Sequence, residues 1–137
     1  MKRIAAILFA ISSLTASPVE ARQTPKAPAW LVKRVEEGKR CKRYEPLMRK
    51  HGLPVTWFTY ICARESGQNR LAHNEADPFT GSYGLWQING AHTSLTFRLC
   101  GGKWGDLQVL FNPECNVRVT KFLYDEYGLI PWGFKGF

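Results

Sequence analysis

Four cysteines, Cys41, Cys62, Cys100 and Cys115, set the strongest limit on the folds open to this chain. An even set pairs in an oxidising compartment, and the first residues point to one. Lys2 and Arg3 form a positive n-region, Ile4 to Leu14 is a short apolar run, and Val19-Glu20-Ala21 offers small residues at the usual cleavage spacing. That run is too short to span a bilayer. Residues 1–21 are therefore read as a signal peptide cleaved near Ala21, with export to the periplasm or the cell exterior. Four cysteines allow three connectivities. We favour Cys41–Cys62 and Cys100–Cys115, because each staples neighbouring segments, and each closure is worth roughly 3 kcal/mol on a chain-entropy account. No metal is expected, since no Cys-x-x-Cys or His-x-x-x-His spacing exists and His51, His73 and His92 are scattered. No other cofactor is implied.

With 137 residues, 45% of them hydrophobic, the chain suits one compact domain. Residues 22–29 read as a linker carrying Pro25 and Pro28. From Trp30 the pattern is helical: Trp30, Leu31, Val32 and Val35 precede Gly38, and Cys41, Tyr44, Leu47 and Met48 recur until Gly52. The division is a leader at 1–21, a linker and N-terminal helical extension at 22–39, and the main domain at 40–137. Pro54-Val55-Thr56 opens a further helix with Trp57, Phe58, Ile61 and Cys62 on its buried face and Glu65 near its end. Residues 68–90 lose that periodicity and fill with Asn, Asp, Gly, Ser and Thr. There Leu85-Trp86-Gln87-Ile88 reads as a strand in a small antiparallel sheet of two or three short strands. Asn112-Pro113 caps and starts a last helix running to Tyr127, with Gly128 as its stop. The expected class is mainly α (α+β), a helical domain whose small antiparallel β-hairpin or sheet lines a cleft.

A net charge of +8 draws an exported protein to polyanions such as cell-wall polymers, anionic lipid or nucleic acid. The positive residues are spread along the chain and no nucleic-acid motif accompanies them. A solvated basic surface accounts for them equally well. No nucleic-acid partner and no stable membrane insertion are expected, and the chain is taken as a monomer.

The chemistry centres on Glu65. A glycosidic bond breaks through an oxocarbenium-like transition state, so its leaving oxygen needs a proton as the bond lengthens. An ordinary glutamate is ionised at neutral pH, and a catalytic one has to be shielded from water. Trp57, Phe58 and Ile61 supply apolar surroundings upstream. Taken alone, a glutamate at a helix end is a solvated surface residue. The polar hairpin downstream strengthens the catalytic reading. Gln87 and Asn89 alternate there and would project amides into one groove, where they read sugar hydroxyls and acetamides. Ser82 and Tyr83 flank them. Tyr83, Trp86, Trp104 and Trp132 offer rings for pyranose faces, though each serves equally as core, Trp86 above all.

Glu65-Ser66 followed by Gly84-Leu85-Trp86-Gln87-Ile88-Asn89 resembles the lysozyme-like superfamily, above all its transglycosylase (SLT)-type and phage or actinobacterial lysozyme-like domains. Their pattern is Glu-Ser, then Gly-Leu-x-Gln-Ile. Tyr44-Glu45-Pro46-Leu47-Met48 to His51-Gly52-Leu53-Pro54 is similar to the helix and turn before the catalytic helix. Phe111-Asn112-Pro113-Glu114-Cys115-Asn116-Val117 is similar to their Asp/Asn-Pro-x-x-Asn helix start. The resemblance spans Cys41 to Trp132. It implies Glu65 as general acid/base, a cleft lined by Gln87 and the Gly84–Ile88 strand, and peptidoglycan glycan strands as substrate, cut between N-acetylmuramic acid and N-acetylglucosamine.

Two departures shape the expected mechanism. Animal-type lysozymes carry an aspartate just before the Tyr-Gly of this hairpin, where this chain has Ser82. The Ala-Tyr-Asn motif of larger lytic transglycosylases is absent, leaving Tyr124 or Tyr127 as substitutes for its tyrosine. A retaining hydrolase wants a second carboxylate about 5 Å from the acid. With one carboxylate the substrate supplies its own nucleophile and ends as a 1,6-anhydro sugar, the outcome we favour. Asp77 and Glu75 share a loop and would restore a hydrolase. The rival classes are a non-catalytic cell-wall-binding module, a basic adhesive protein, and a membrane-disrupting protein acting through Trp30 to Arg43.

Overall fold

The computed structural model describes residues 23–137, so the leader expected at 1–21 lies outside the described residues. Five helices run in the order α1 (Ala29–Glu36), α2 (Glu45–Lys50), α3 (Val55–Ser66), α4 (Thr93–Cys100) and α5 (Pro113–Tyr127). Between α3 and α4 lie three two-residue strands, β1 (His73–Asn74), β2 (Ser82–Tyr83) and β3 (Ile88–Asn89). Short 3₁₀ turns occupy Lys42–Tyr44, Gly90–His92, Leu107–Phe111 and Ile130–Trp132. The architecture is the mainly helical, minor-sheet class expected from the sequence.

Helix α3 is the axis of the domain. Pro54 sits at its N-cap, where a missing N–H costs nothing, and Trp57, Phe58, Ile61 and Cys62 are all buried. Gly67 ends it in a left-handed conformation at φ +56°. Phe58 meets Tyr124 edge-on at 5.3 Å and Trp132 at 5.0 Å, which seats α5 and the tail against α3. Helix α5 begins as its Asn-Pro pair dictates: the Asn112 side chain accepts from the Glu114 N–H at 2.9 Å, and Pro113 takes the first turn. Gly128 closes it.

The disulfides are Cys41–Cys62 and Cys100–Cys115, spanning 21 and 15 residues. The first joins the segment after α1 to the middle of α3, and the second joins the end of α4 to the first turn of α5. Among the described residues no helix is long and apolar enough to cross a membrane.

Three local features differ from the sequence expectation. The helical run from Trp30 to Gly52 is broken, because α1 stops at Glu36 and only a 3₁₀ turn precedes α2. Helix α4 arises from Thr93-Ser94-Leu95-Thr96-Phe97, a stretch of modest helix formers that gave no periodic signal. Of the run Leu85–Ile88, read above as a strand, only Ile88 lies in one, since Gly84–Gln87 form the turn between β2 and β3. The sheet order is β1-β2-β3, antiparallel throughout, with Tyr83 paired to Ile88 and Ser82 to Asn89. Gln87 completes that tight turn at φ +50°, an uncommon conformation for a residue with a side chain.

Candidate active site

Glu65 occupies the last turn of α3, its side chain 26% exposed. The turn is tied from within, as Ser66 Oγ donates to the Cys62 carbonyl at 3.0 Å. Arg64 grips the glutamate from beside it: Nε donates to Oε1 at 3.0 Å and Nη2 donates to the same oxygen. The guanidinium is itself held by two further contacts. Nη2 also donates to the Trp132 carbonyl at 2.6 Å, and the carbon centre lies 4.6 Å from the Phe134 ring centroid.

The sheet register sorts the expected sugar-binding residues onto two faces. Asn74, Ser82 and Asn89 are successive cross-strand partners and share one face, while His73, Tyr83 and Ile88 share the other. Ser82 and Asn89 come together, with Asn89 Nδ2 donating to Ser82 Oγ at 3.3 Å and to the Pro78 carbonyl at 2.9 Å. Tyr83 points away from them. It stacks on His73 at 4.2 Å and donates its hydroxyl to the Thr80 carbonyl at 2.7 Å. A groove of about 640 Å³ opens on that side, lined by His73, Phe79, Tyr83 and Phe111 among others, without Glu65. Gln87 turns its amide inward, donating to the carbonyls of Gly84 at 2.9 Å and Ala72 at 3.2 Å.

The aromatic candidates divide in the same way. Trp86 is fully buried and donates to the Phe58 carbonyl at 2.9 Å. Trp132 is also buried, its indole N–H donating to the Trp86 carbonyl at 3.0 Å. Trp104 is 62% exposed and packs edge-on against Phe97. Of the substitutes for a missing tyrosine, Tyr124 is buried with a hydroxyl that has no hydrogen-bond partner among the described residues, and Tyr127 is exposed. Glu75 stands 85% exposed, with Oε1 3.6 Å from His73 Nδ1. Asp77 lies in the same turn, its N–H directed at the Asn74 carbonyl at 3.4 Å.

Two residues outside the expected set hold these pieces together. Arg64 is one. The other is Asn116, fully buried in α5. Its Nδ2 donates to the carbonyls of Tyr83 at 3.0 Å and Leu110 at 2.9 Å, and its Oδ1 accepts from the Trp86 N–H at 3.2 Å. The carboxamide fits so closely that a Cβ on Gly84 would stand 2.4 Å from Asn116 Nδ2 and 2.4 Å from the Leu110 carbonyl. The sequence signal for it was the second asparagine of the Asn-Pro-x-x-Asn run. A continuous set of contacts thus links Glu65 through Arg64, Trp132 and Trp86 to Asn116 and the hairpin turn.

Away from this frame, side-chain hydrogen bonds hold the Glu114 carboxyl below its usual range, first that from Lys50 and then that with His51. Partial burial pushes the His92 imidazole down. No cluster of three or more His, Cys, Asp or Glu side chains suited to a metal occurs among the described residues.

Compared with known families, residues 45–131 match the family described as Transglycosylase SLT domain. The match takes in α2, α3 with Glu65, the whole sheet and α5. Comparison with curated proteins and with solved structures found no match.

Proposed function

The chain belongs to the transglycosylase SLT domain family, and from that premise we propose that it cleaves the β-1,4 bond between N-acetylmuramic acid and N-acetylglucosamine in peptidoglycan, with Glu65 as the single acid/base and a 1,6-anhydro product. The observation that carries this reading is the composition of the polar face of the sheet. Asn74, Ser82 and Asn89 share that face, two amides and a buried hydroxyl with no carboxylate among them. With no carboxylate on the strands, a water or a covalent nucleophile would have to be served by Glu75 or Asp77 of the intervening loop, whereas a nucleophile supplied by the substrate needs no second acid.

The steps balance without water. Protonated Glu65 gives its proton to the glycosidic oxygen, which leaves with N-acetylglucosamine. The acetamide oxygen of the muramic acid bonds to the anomeric carbon as the glycosidic bond breaks. The Glu65 carboxylate then takes the proton of the 6-hydroxyl, whose oxygen attacks the anomeric carbon and releases the acetamide. Glu65 ends protonated, ready for another cycle. Exposed Asn74 and half-buried Asn89 are the groups we assign to the sugar hydroxyls and acetamides, with Ser82 buried beneath Asn89 as its hydrogen-bond partner. Gln87 and Trp132 shape the cleft from behind, since their polar atoms already serve the hairpin. Export through residues 1–21 would bring the protein to its wall substrate and allow both disulfides to form.

Mass spectrometry of fragments released from purified peptidoglycan by residues 22–137 tests the reading, with Glu65→Gln in parallel. The expected products lack one water, end in anhydro-muramic acid, and vanish in the variant. Reducing-end muramic acid would instead make the enzyme a hydrolase and turn attention to Asp77 and Glu75. No fragments from any wall type would leave a binding module.

A further inference from the structure

We propose that Arg64 is a positioning residue for Glu65, and that an aromatic cluster built from the two ends of the domain fixes Arg64 in that role. The inference rests on Glu65 being the acid/base. An arginine beside a glutamate on a helix surface is ordinarily a weak, mobile ion pair. Arg64 is different because two of its contacts do not involve Glu65. The Trp132 carbonyl accepts from Nη2, and the guanidinium carbon lies over the Phe134 ring. These anchors set where the guanidinium sits, and the glutamate then docks on it.

The consequence concerns which carboxylate oxygen works. Nε and Nη2 both donate to Oε1. A proton cannot share that oxygen with two N–H groups aimed at it, so the transferable proton resides on Oε2. The orientation of the acid is thereby fixed in one of its two senses. Lysine cannot reproduce this, having neither a planar fork for one oxygen nor a flat face for a ring.

Phe134 owes its own position to residues remote from the acid. Trp30 of α1 stacks on it at 6.2 Å, and Trp57 of α3 meets it at 5.2 Å. Phe134 and all of α1 lie outside residues 45–131. The helical extension and the tail therefore reach the acid through one ring and one guanidinium.

The test compares the purified mature protein with Arg64→Gln, Arg64→Lys, Phe134→Leu, Phe134→Tyr and Glu65→Gln. Rates of fragment release from solubilised peptidoglycan strands give kcat and KM, and thermal unfolding reports the fold. Arg64→Gln should lower kcat by roughly tenfold to a hundredfold, the range for a misplaced catalytic group, with KM held within about twofold. Arg64→Lys should recover only part of the loss. Phe134→Leu should lower kcat in the same direction, and Phe134→Tyr, which keeps a ring, should lower it less. An Arg64→Gln protein with undiminished kcat, or a loss confined to KM or to thermal stability, overturns the proposal while an inactive Glu65→Gln leaves the catalytic reading standing. Full activity in Glu65→Gln overturns both. Should Arg64→Gln fail to fold, the Phe134 pair decides: equal kcat in Leu and Tyr overturns the ring's role and the proposal with it.

Discussion

Truncating Asn116 to alanine should separate the hairpin from α5. Three buried backbone groups depend on that carboxamide: the carbonyls of Tyr83 and Leu110 and the N–H of Trp86. Leaving a buried polar group without its partner costs about 1–3 kcal/mol, and a water admitted to the vacated space recovers part of it. We expect a net loss of about 3–5 kcal/mol, a large share of the roughly 5–15 kcal/mol that stabilises a domain. For a domain of this size that corresponds to a fall in Tm of roughly 12–20 °C. Calorimetry with the disulfides intact measures it, and hydrogen exchange at residues 82–89 localises it. Asn116→Asp is the discriminating control. It keeps the volume and the acceptor for Trp86, but turns the donor facing two carbonyls into an oxygen. If hydrogen bonding is the cause, Asp is at least as damaging as Ala at neutral pH. A tolerated Asp beside a damaging Ala would show that the site needs volume, and an Ala cost under about 1 kcal/mol would refute the argument outright.

Two other perturbations follow from the geometry. Gly84→Ala should destabilise by about 2–4 kcal/mol, since φ is +75° and the new methyl meets a backbone carbonyl that cannot yield; Gly105→Ala, whose methyl meets nothing, should cost only the left-handed strain of about 1–2 kcal/mol, and equal Tm losses would count against the steric account. Glu114→Gln tests a pH dependence. Its carboxyl is held below the usual range by Lys50 and then His51, so its contribution is complete above the ordinary glutamate value of about 4.3 and is lost as pH falls through the lowered folded value. The Tm gap between wild type and variant should therefore be open at pH 7 and close in strong acid; a gap independent of pH would contradict it.

The long, well-capped elements were legible in the sequence. Helix α3 announced itself through Pro54 and the apolar pairs at Trp57-Phe58 and Ile61-Cys62. Helix α5 did so through Asn112-Pro113 and Gly128, and the favoured cysteine pairing is the one formed. The hairpin was legible in position but not in detail. Strands of two residues are too short for alternation to show, and Gln87 takes a left-handed conformation that sequence reasoning reserves for glycine or asparagine. That misplacement carried a second one: Gln87 and Asn89, read as neighbours on one strand face, fall in the turn and the strand respectively. Asn116 and Arg64 were given no role from the sequence for a different reason. Asn116 acts on Trp86 and Tyr83, 30 and 33 residues away, and Arg64 on Trp132, 68 residues away. Such pairings have no local periodicity to betray them.

The Trp57 indole carries a further implication. Its N–H donates to the Pro25 carbonyl at 3.0 Å, and its ring meets Phe137 at 5.2 Å. Segments at the margins of a domain usually open one at a time, each with its own small opening free energy. Here the segment around Pro25 and Phe137 lean on the same side chain, so loosening either one wets the support of the other. The segments around Pro25 and Phe137 should open as a single cooperative unit, and proteolytic cutting in one should expose the other to the same protease. Tryptophan emission would register that event as one transition.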